Sequence, residues 1–213
     1  MRLPFPFSRP FAAKLTLAAT VMLFTLPNTA QAQFCSADDL FFNEASYDVG
    51  DSPRSLVSAD FDDDFVLDLI VVNSDSTDIS FLSGEADGTF AAETRFSDQV
   101  VGISTATADL NEDGIRDFIT SDPQSGNVSI YLGRADGTFD PRSVFNSLVS
   151  TYIVVADFNG DGSFDIATTG GEEVPERRVT IALGNGDGTF DPSVLRFDSG
   201  AAIPGAIVVA DFN

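Results

Sequence analysis

The chain has no histidine, no tryptophan, a single cysteine and only 11 basic residues among 213. Without histidine there is no Ser-His-Asp or Cys-His catalytic apparatus, and zinc loses its usual imidazole ligands. One cysteine, Cys35, cannot close an internal disulfide. The residues before it, Ala32-Gln33-Phe34, lack the small residue that precedes a lipidated cysteine, so Cys35 reads as unmodified or paired outside this segment. The basic residues face 33 acidic ones, for a net charge of −22. That excludes nucleic acid as a partner, because phosphates need Lys and Arg, and it argues against anionic membrane surfaces. No apolar run approaches the ~20 residues that span a bilayer, so no membrane insertion is expected once the leader described next is removed.

That leader is the first feature present. Arg2, Arg9 and Lys14 precede the uncharged, mostly apolar run Leu15 to Leu26, and Pro27 and Ala30-Gln31-Ala32 follow. A basic start, a short apolar stretch and a small-x-small site form the layout of a secretory signal peptide. Residues 1–32 are expected to be removed after Ala32, giving a secreted, extracellular or cell-surface chain with a further unit over 33–213. Its 33 acidic residues then face 8 basic ones, a net charge of −25. Acidic chains poor in aromatics stay disordered, but 20 phenylalanines with many Val and Ile predict a packed core. Many carboxylates are left to face cations.

The unit is repetitive. Ala59-Asp60-Phe61-Asp62 returns as Ala108-Asp109-Leu110-Asn111, Ala156-Asp157-Phe158-Asn159 and Ala210-Asp211-Phe212-Asn213. In phase with it, Asp87-Gly88-Thr89-Phe90 returns as Asp136-Gly137-Thr138-Phe139 and Asp187-Gly188-Thr189-Phe190. Each repeat carries short β-branched or alternating runs, such as Ile153 to Ala156, Asp165 to Thr169, Val179 to Leu183 and Val194 to Phe197. Asp-Gly marks the hairpin before the last of them, since the turn needs positive φ. Four strands in about 50 residues make one blade of a β-propeller. No long 3.6-residue periodicity supports a helical solenoid, and the rungs of a flat β-solenoid are usually shorter. The predicted fold is all-β: four-stranded blades over about 53–101, 102–149 and 150–203, with partial blades at 41–50 and 204–213. Three blades do not close a ring, which takes about 4–8, so the chain is expected to be an incomplete propeller.

The acidic segments have metal-ligand spacing. Oxygen donors fall at Asp60, Asp62, Asp64 and Asp68; at Asp109, Asn111, Asp113 and Asp117; and at Asp157, Asn159, Asp161 and Asp165. These are positions 1, 3, 5 and 9 of a loop, with the backbone carbonyl of Val66, Ile115 or Ser163 at position 7. Asp211 and Asn213 begin a fourth loop. Calcium, which takes six to eight oxygens at flexible distances, suits such a set better than magnesium. An EF-hand needs Glu at position 12 and flanking helices, but Val71, Thr120 and Thr168 stand there between strands. Gly114 and Gly162 fill position 6, where a sharp turn needs positive φ, and Phe65 replaces them in the first loop. That loop is expected to be distorted or the weakest binder.

The blocks Ile153 to Ile166, Leu183-Gly184 and Asp187 to Phe190 resemble the FG-GAP repeat of integrin α-subunit propellers and bacterial VCBS-type secreted proteins. The resemblance implies a seven-bladed propeller with calcium between the first two strands of a blade, and roles in adhesion or extracellular ligand binding. The leading expectation is a non-catalytic binding scaffold with Ca2+ at three sites and a fourth incomplete, and with an extracellular protein or glycan as partner. The rivals are a propeller hydrolase or lyase acting on polysaccharide, and an accessory domain of a larger secreted enzyme. Glu44, Glu85, Glu93 and Glu172 lie outside the ligand sets and are isolated in sequence.

Overall fold

A computed structural model of the chain describes residues 14–16, 46–97, 99–146, 151–170, 178–198 and 206–210. Most of the leader, Cys35, Asp211 and Asn213 lie outside the described residues. Among the described residues every regular element is a strand. Lys14–Thr16 (β1) pairs antiparallel with Ser46–Asp48 (β2). The rest forms three four-stranded antiparallel meanders.

Blade 1 holds Pro53–Ala59 (β3), Asp68–Asn73 (β4), Asp78–Leu82 (β5) and Thr94–Ser97 (β6). Blade 2 holds Ser104–Ala108 (β7), Asp117–Asp122 (β8), Asn127–Tyr131 (β9) and Ser143–Phe145 (β10). Blade 3 holds Tyr152–Ala156 (β11), Asp165–Gly170 (β12), Arg178–Ala182 (β13) and Leu195–Asp198 (β14). The first strands β3, β7 and β11 lie side by side, in chain order. This is the propeller architecture predicted from the repeats.

The second strand of each blade is buried on both faces: β4, β8 and β12 are covered almost throughout. The core therefore lies between blades. Between blades 1 and 2 it contains Phe61, Ile70, Val72, Ile79, Phe81, Phe118 and Tyr131. Between blades 2 and 3 it contains Leu110, Ile119, Val128, Ile130, Ile153, Ile166 and Phe190. The Asp-Gly-Thr-Phe turns fasten each blade to the one before it. Phe139 of blade 2 packs into the cluster shared with blade 1, and Phe190 of blade 3 into that shared with blade 2. Phe90 of blade 1 meets Tyr47 of β2 edge-to-face at 5.3 Å, and its amide donates to the Tyr47 hydroxyl at 3.1 Å. β2 thus takes the place that a preceding blade occupies for the other two.

One glycine per blade is sterically obligatory. Gly84, Gly133 and Gly184 pair with Phe90, Phe139 and Phe190 as isolated bridges. A Cβ on any of them would lie far inside van der Waals contact with the carbonyl oxygen of Leu67, Arg116 or Phe164. Gly88, by contrast, has φ +84° but open space where its Cβ would be. Gly133→Ala is expected to lower unfolding free energy by on the order of 3 kcal/mol, through overpacking and a lost buried hydrogen bond. Gly88→Ala should cost only the left-handed penalty, about 1 kcal/mol. Urea denaturation of the two variants checks this; equal midpoints would refute the close-packing argument.

Candidate metal centres

Each acidic loop joins the first and second strands of a blade: residues 60–67, 109–116 and 157–164. The three are superimposable in their bonding. Asp60 accepts the amides of Asp64 (3.1 Å) and Phe65 (2.8 Å). Asp109 accepts those of Asp113 (3.0 Å) and Gly114 (2.9 Å). Asp157 accepts those of Asp161 (3.2 Å) and Gly162 (2.9 Å), with Gly160 as a third at 2.6 Å. These amides hold the Asp157 carboxyl below the usual carboxylate range, Gly162 contributing most. Position 5 repeats the device on a smaller scale: Asp64, Asp113 and Asp161 each accept the amide of Val66, Ile115 or Ser163 at 2.8–2.9 Å. The loop thereby curls around one point and fixes the position-7 residue.

This path needs positive φ at positions 4 and 6. Asp63 (60°) and Phe65 (68°) match Glu112 (58°) and Gly114 (89°), and Gly160 (78°) and Gly162 (99°). The expected distortion of the first loop does not occur. Phe65 takes the left-handed conformation that glycine takes elsewhere, at an intrinsic cost of about 1–2 kcal/mol. Its side chain is 92% exposed, so it meets no second clash, and the two amides on Asp60 hold the turn against the strain.

Position 9 is different in kind. Asp68, Asp117 and Asp165 are fully buried. One oxygen of each accepts the amide of Phe61 (2.8 Å), Leu110 (2.7 Å) or Phe158 (2.8 Å) at the loop entrance. The other accepts that of Gly84, Gly133 or Gly184 at 2.7–2.8 Å. Spacing identified these residues only as ligands. The structure shows a second task that no spacing rule encodes: each ties its loop to the end of the third strand. Burial pushes the Asp117 carboxyl up to about 6, against its two amide donors and with help from Asp113 and Asp109. Burial raises Asp68 as well.

The loops differ at position 3. Asn111 Nδ2 donates to Asp113 at 2.8 Å, and Asn159 Nδ2 to Asp161 at 2.7 Å. Asp62 has no such proton to give. Its Oδ1 is buried with no hydrogen-bond partner, and carboxylate oxygens of Asp60, Asp62 and Asp68 all lie within 4.8 Å of one another. Burial, then the charges of Asp68 and Asp64, raise the Asp62 carboxyl. Like charges at this separation, with one oxygen out of water and unpaired, are what a cation site looks like from the protein side. Hard oxygen donors without nitrogen or sulfur fit calcium. Loops 2 and 3 are also linked: Ser163 Oγ donates to Glu112 at 2.9 Å, a contact that separation of 51 positions hides in sequence.

A further carboxylate pair went unnoticed in sequence. Asp78 and Glu93 are bridged by Arg95, which lies 3.5 Å from Asp78 and donates to Glu93 at 2.8 and 3.0 Å. Asn73 and Ser76 also donate to Asp78, and Ser80 to Glu93. The pairing across β5 and β6 brings them together, with Arg95 supplying a positive charge to both.

The raised carboxyls set a pH dependence. A folded value of about 6 for Asp117 lies above the ~3.9 of an unfolded aspartate. Its neutral form therefore favours folding below about pH 4, and that contribution is lost as pH rises through 6. With chelator present, the wild-type melting temperature is expected to fall more between pH 5 and pH 7 than that of Asp117→Asn. Parallel slopes for the two proteins would show that Asp117 titrates normally.

Residues 109–168, from the second acidic loop into β12, match the FG-GAP-like repeat family model. No curated protein matches the chain. Among solved structures, the chain is similar to an Agrocybe aegerita lectin described as recognising non-reducing terminal N-acetylglucosamine, with 22% identity and a TM-score of 0.50. The likeness covers 73% of this chain and 38% of the lectin, so the chain spans well under half the length of that relative. A structure of BBS1N in complex with ARL6DN aligns at 10% identity and a TM-score of 0.31, over 68% of this chain and 54% of that one. Over residues 109–168 the chain is thus similar to the FG-GAP-like repeat, and its described sheets are four-stranded blades of a β-propeller.

Proposed function

We propose that the protein is a secreted, calcium-binding propeller that acts as a non-catalytic scaffold for an extracellular ligand. The observation that carries the calcium reading is the buried, unpartnered Asp62 Oδ1 beside Asp60 and Asp68, in a loop whose backbone is repeated in loops 2 and 3. Calcium would be held by Asp60, Asp62, Asp64 and Asp68; by Asp109, Asn111, Asp113 and Asp117; and by Asp157, Asn159, Asp161 and Asp165, with the carbonyls of Val66, Ile115 and Ser163. Asp211 and Asn213 would open a fourth site. The ion supplies positive charge where acidic side chains crowd, and so closes the turn between first and second strands of a blade. The chain's own residues do the rest: Asp60, Asp109 and Asp157 orient the loop amides, and the position-9 aspartates anchor each loop to its sheet.

The scaffold reading is supported by the absence of histidine and by the locked state of the Asp78–Glu93 pair, whose Arg95 clamp opposes acid–base work. Secretion rests on the leader, and brings the chain to a compartment where calcium is abundant. An extracellular module binds calcium at about 10⁻⁴–10⁻³ M. At 10 mM calcium each occupied site should then add about 1.4–2.7 kcal/mol.

Calorimetric titration and thermal melting of the chain without its leader test this. Calcium is expected to raise the melting temperature and chelator to reverse the rise. Asp62→Asn, which gives loop 1 the residue of loops 2 and 3, should raise the metal-free melting temperature and shrink the calcium-induced gain. No response to calcium in either protein would reduce the loops to ordinary turns.

A further inference from the structure

The two inter-blade surfaces serve the same structural purpose with different residues, and the repeat supplies an internal control. Between blades 2 and 3, packing is managed by Ile130, Ala182, Phe145 and Phe190, with one ring pair, Phe145–Phe190, at 5.7 Å. Between blades 1 and 2, six rings cluster: Phe61, Phe81, Phe96, Phe118, Tyr131 and Phe139. By strand register Phe81 corresponds to Ile130, and Tyr131 to Ala182. Arg142 follows Asp140-Pro141 where Ser193 follows Asp191-Pro192. Phe81, Tyr131 and Arg142 are therefore particular to this interface, since the neighbouring one is built with Ile130, Ala182 and Ser193 in their places.

These departures converge on one place. A cleft of about 590 Å3 lies between the blades, with Phe81, Phe96, Tyr131 and Phe139 on its walls. Thr94 and Thr138, exposed, and Asp140 and Arg142 stand at its rim. The size falls in the range of small-molecule sites, and aromatic walls with a few polar groups are their usual lining. The rim narrows the ligand class. A purely apolar occupant would strip water from Asp140 and Arg142 and return nothing. An anion would meet a chain of net charge −22, and Asp140 is already clamped by Arg134. A neutral ring with an apolar C–H face and a border of hydroxyls satisfies both the walls and the rim.

We infer that this cleft binds a neutral sugar residue, its C–H face against Phe96 and Phe139 and its hydroxyls toward Thr94, Asp140 and Arg142. The inference rests on the binding-scaffold reading and gives it a ligand class and a location. The chain itself provides the reporter, because it has no tryptophan and its three tyrosines are Tyr47, Tyr131 and Tyr152.

The test is titration of the calcium-supplemented full chain without leader with glucose, galactose, mannose, N-acetylglucosamine and N-acetylgalactosamine, and with glucuronate as the anionic comparison. Calorimetry and tyrosine emission provide the two readouts. At least one sugar should bind at millimolar concentration and change the emission. Arg142→Ser, which installs the blade 3 residue and removes the 3.3 Å bond that Arg142 donates to Ser129, should weaken it roughly tenfold in a protein that still melts cooperatively. Tyr131→Phe should keep binding and lose the emission change. Four results would each overturn the inference: no binding up to 50 mM by a chain that melts cooperatively, equal affinity in Arg142→Ser, a persisting emission change in Tyr131→Phe, or binding of glucuronate alone. Nitrophenyl glycosides assayed in parallel keep the two readings apart. Their turnover would sink the non-catalytic reading, and a silent titration without turnover sinks only the cleft.

Discussion

The buried aspartate at the start of each second strand is the constraint on which the rest depends. Asp68, Asp117 and Asp165 stand out of water and give one oxygen to the loop entrance and the other to an obligatory glycine after the third strand. A carboxylate is suited to this because it offers two acceptors at a fixed separation and no donor. An apolar residue would orphan two buried amides. Asp68 and Asp117 also feel the charges of Asp60 and Asp109 across the loop, so the anchor of the sheet is also the floor of the acidic loop. Their burial is what makes these loops electrostatically demanding.

The architecture was legible because the repeats state it four times over. Strand positions follow from β-branched runs, turns from Asp-Gly, and blade boundaries from the period. Loop spacing grouped the acidic residues, and in the first loop Asp60, Asp62 and Asp68 do come within 4.8 Å of one another. What it could not separate were two roles carried by one residue type: position 9 packs and bonds within the sheet, whereas positions 1 and 5 organise the loop. That division depends on burial, and burial depends on the glycine about 16 residues further on. Phe65 misled for a related reason. Propensity predicts that a bulky residue avoids positive φ, yet the carboxylate of Asp60 rewards the amide orientation whichever side chain stands there. Local tertiary bonding overrode local preference, and the first loop, expected to be distorted or the weakest binder, keeps the backbone path of the other two.

The links between blades were the least legible. Nothing in the spacing of Phe139 says which sheet it enters. The structure shows a directional rule in which the Asp-Gly-Thr-Phe turn reaches back to the element before it, with Tyr47 receiving Phe90 at the first blade. The rule also explains the closeness of the turns. A Cβ at Gly188 would press on Leu132, and the Gly188 amide donates to the Leu110 carbonyl of blade 2 at 3.0 Å. Glycine supplies positive φ here, and it also lets one blade's backbone bond to the next.

A repeat protein separates its residues by this logic. Positions that recur, the aspartates, the obligatory glycines and the turn phenylalanines, are needed at every blade and so report the fold. Positions that differ between blades are released from that duty, and their identities are open to other demands. Asp62 against Asn111 and Asn159 changes the charge of an acidic loop. Phe81, Tyr131 and Arg142 against Ile130, Ala182 and Ser193 change the walls and rim of an inter-blade cleft. Both sets lie in blades 1 and 2, and the turn of blade 2 joins them: a Cβ at Gly137 would touch the Cβ of Asp62 on one side and the Phe81 ring on the other. The acidic loop of blade 1 and the aromatic cleft therefore share a wall, and the Gly137 turn, with Thr138 and Phe139 beside it, is seated between them.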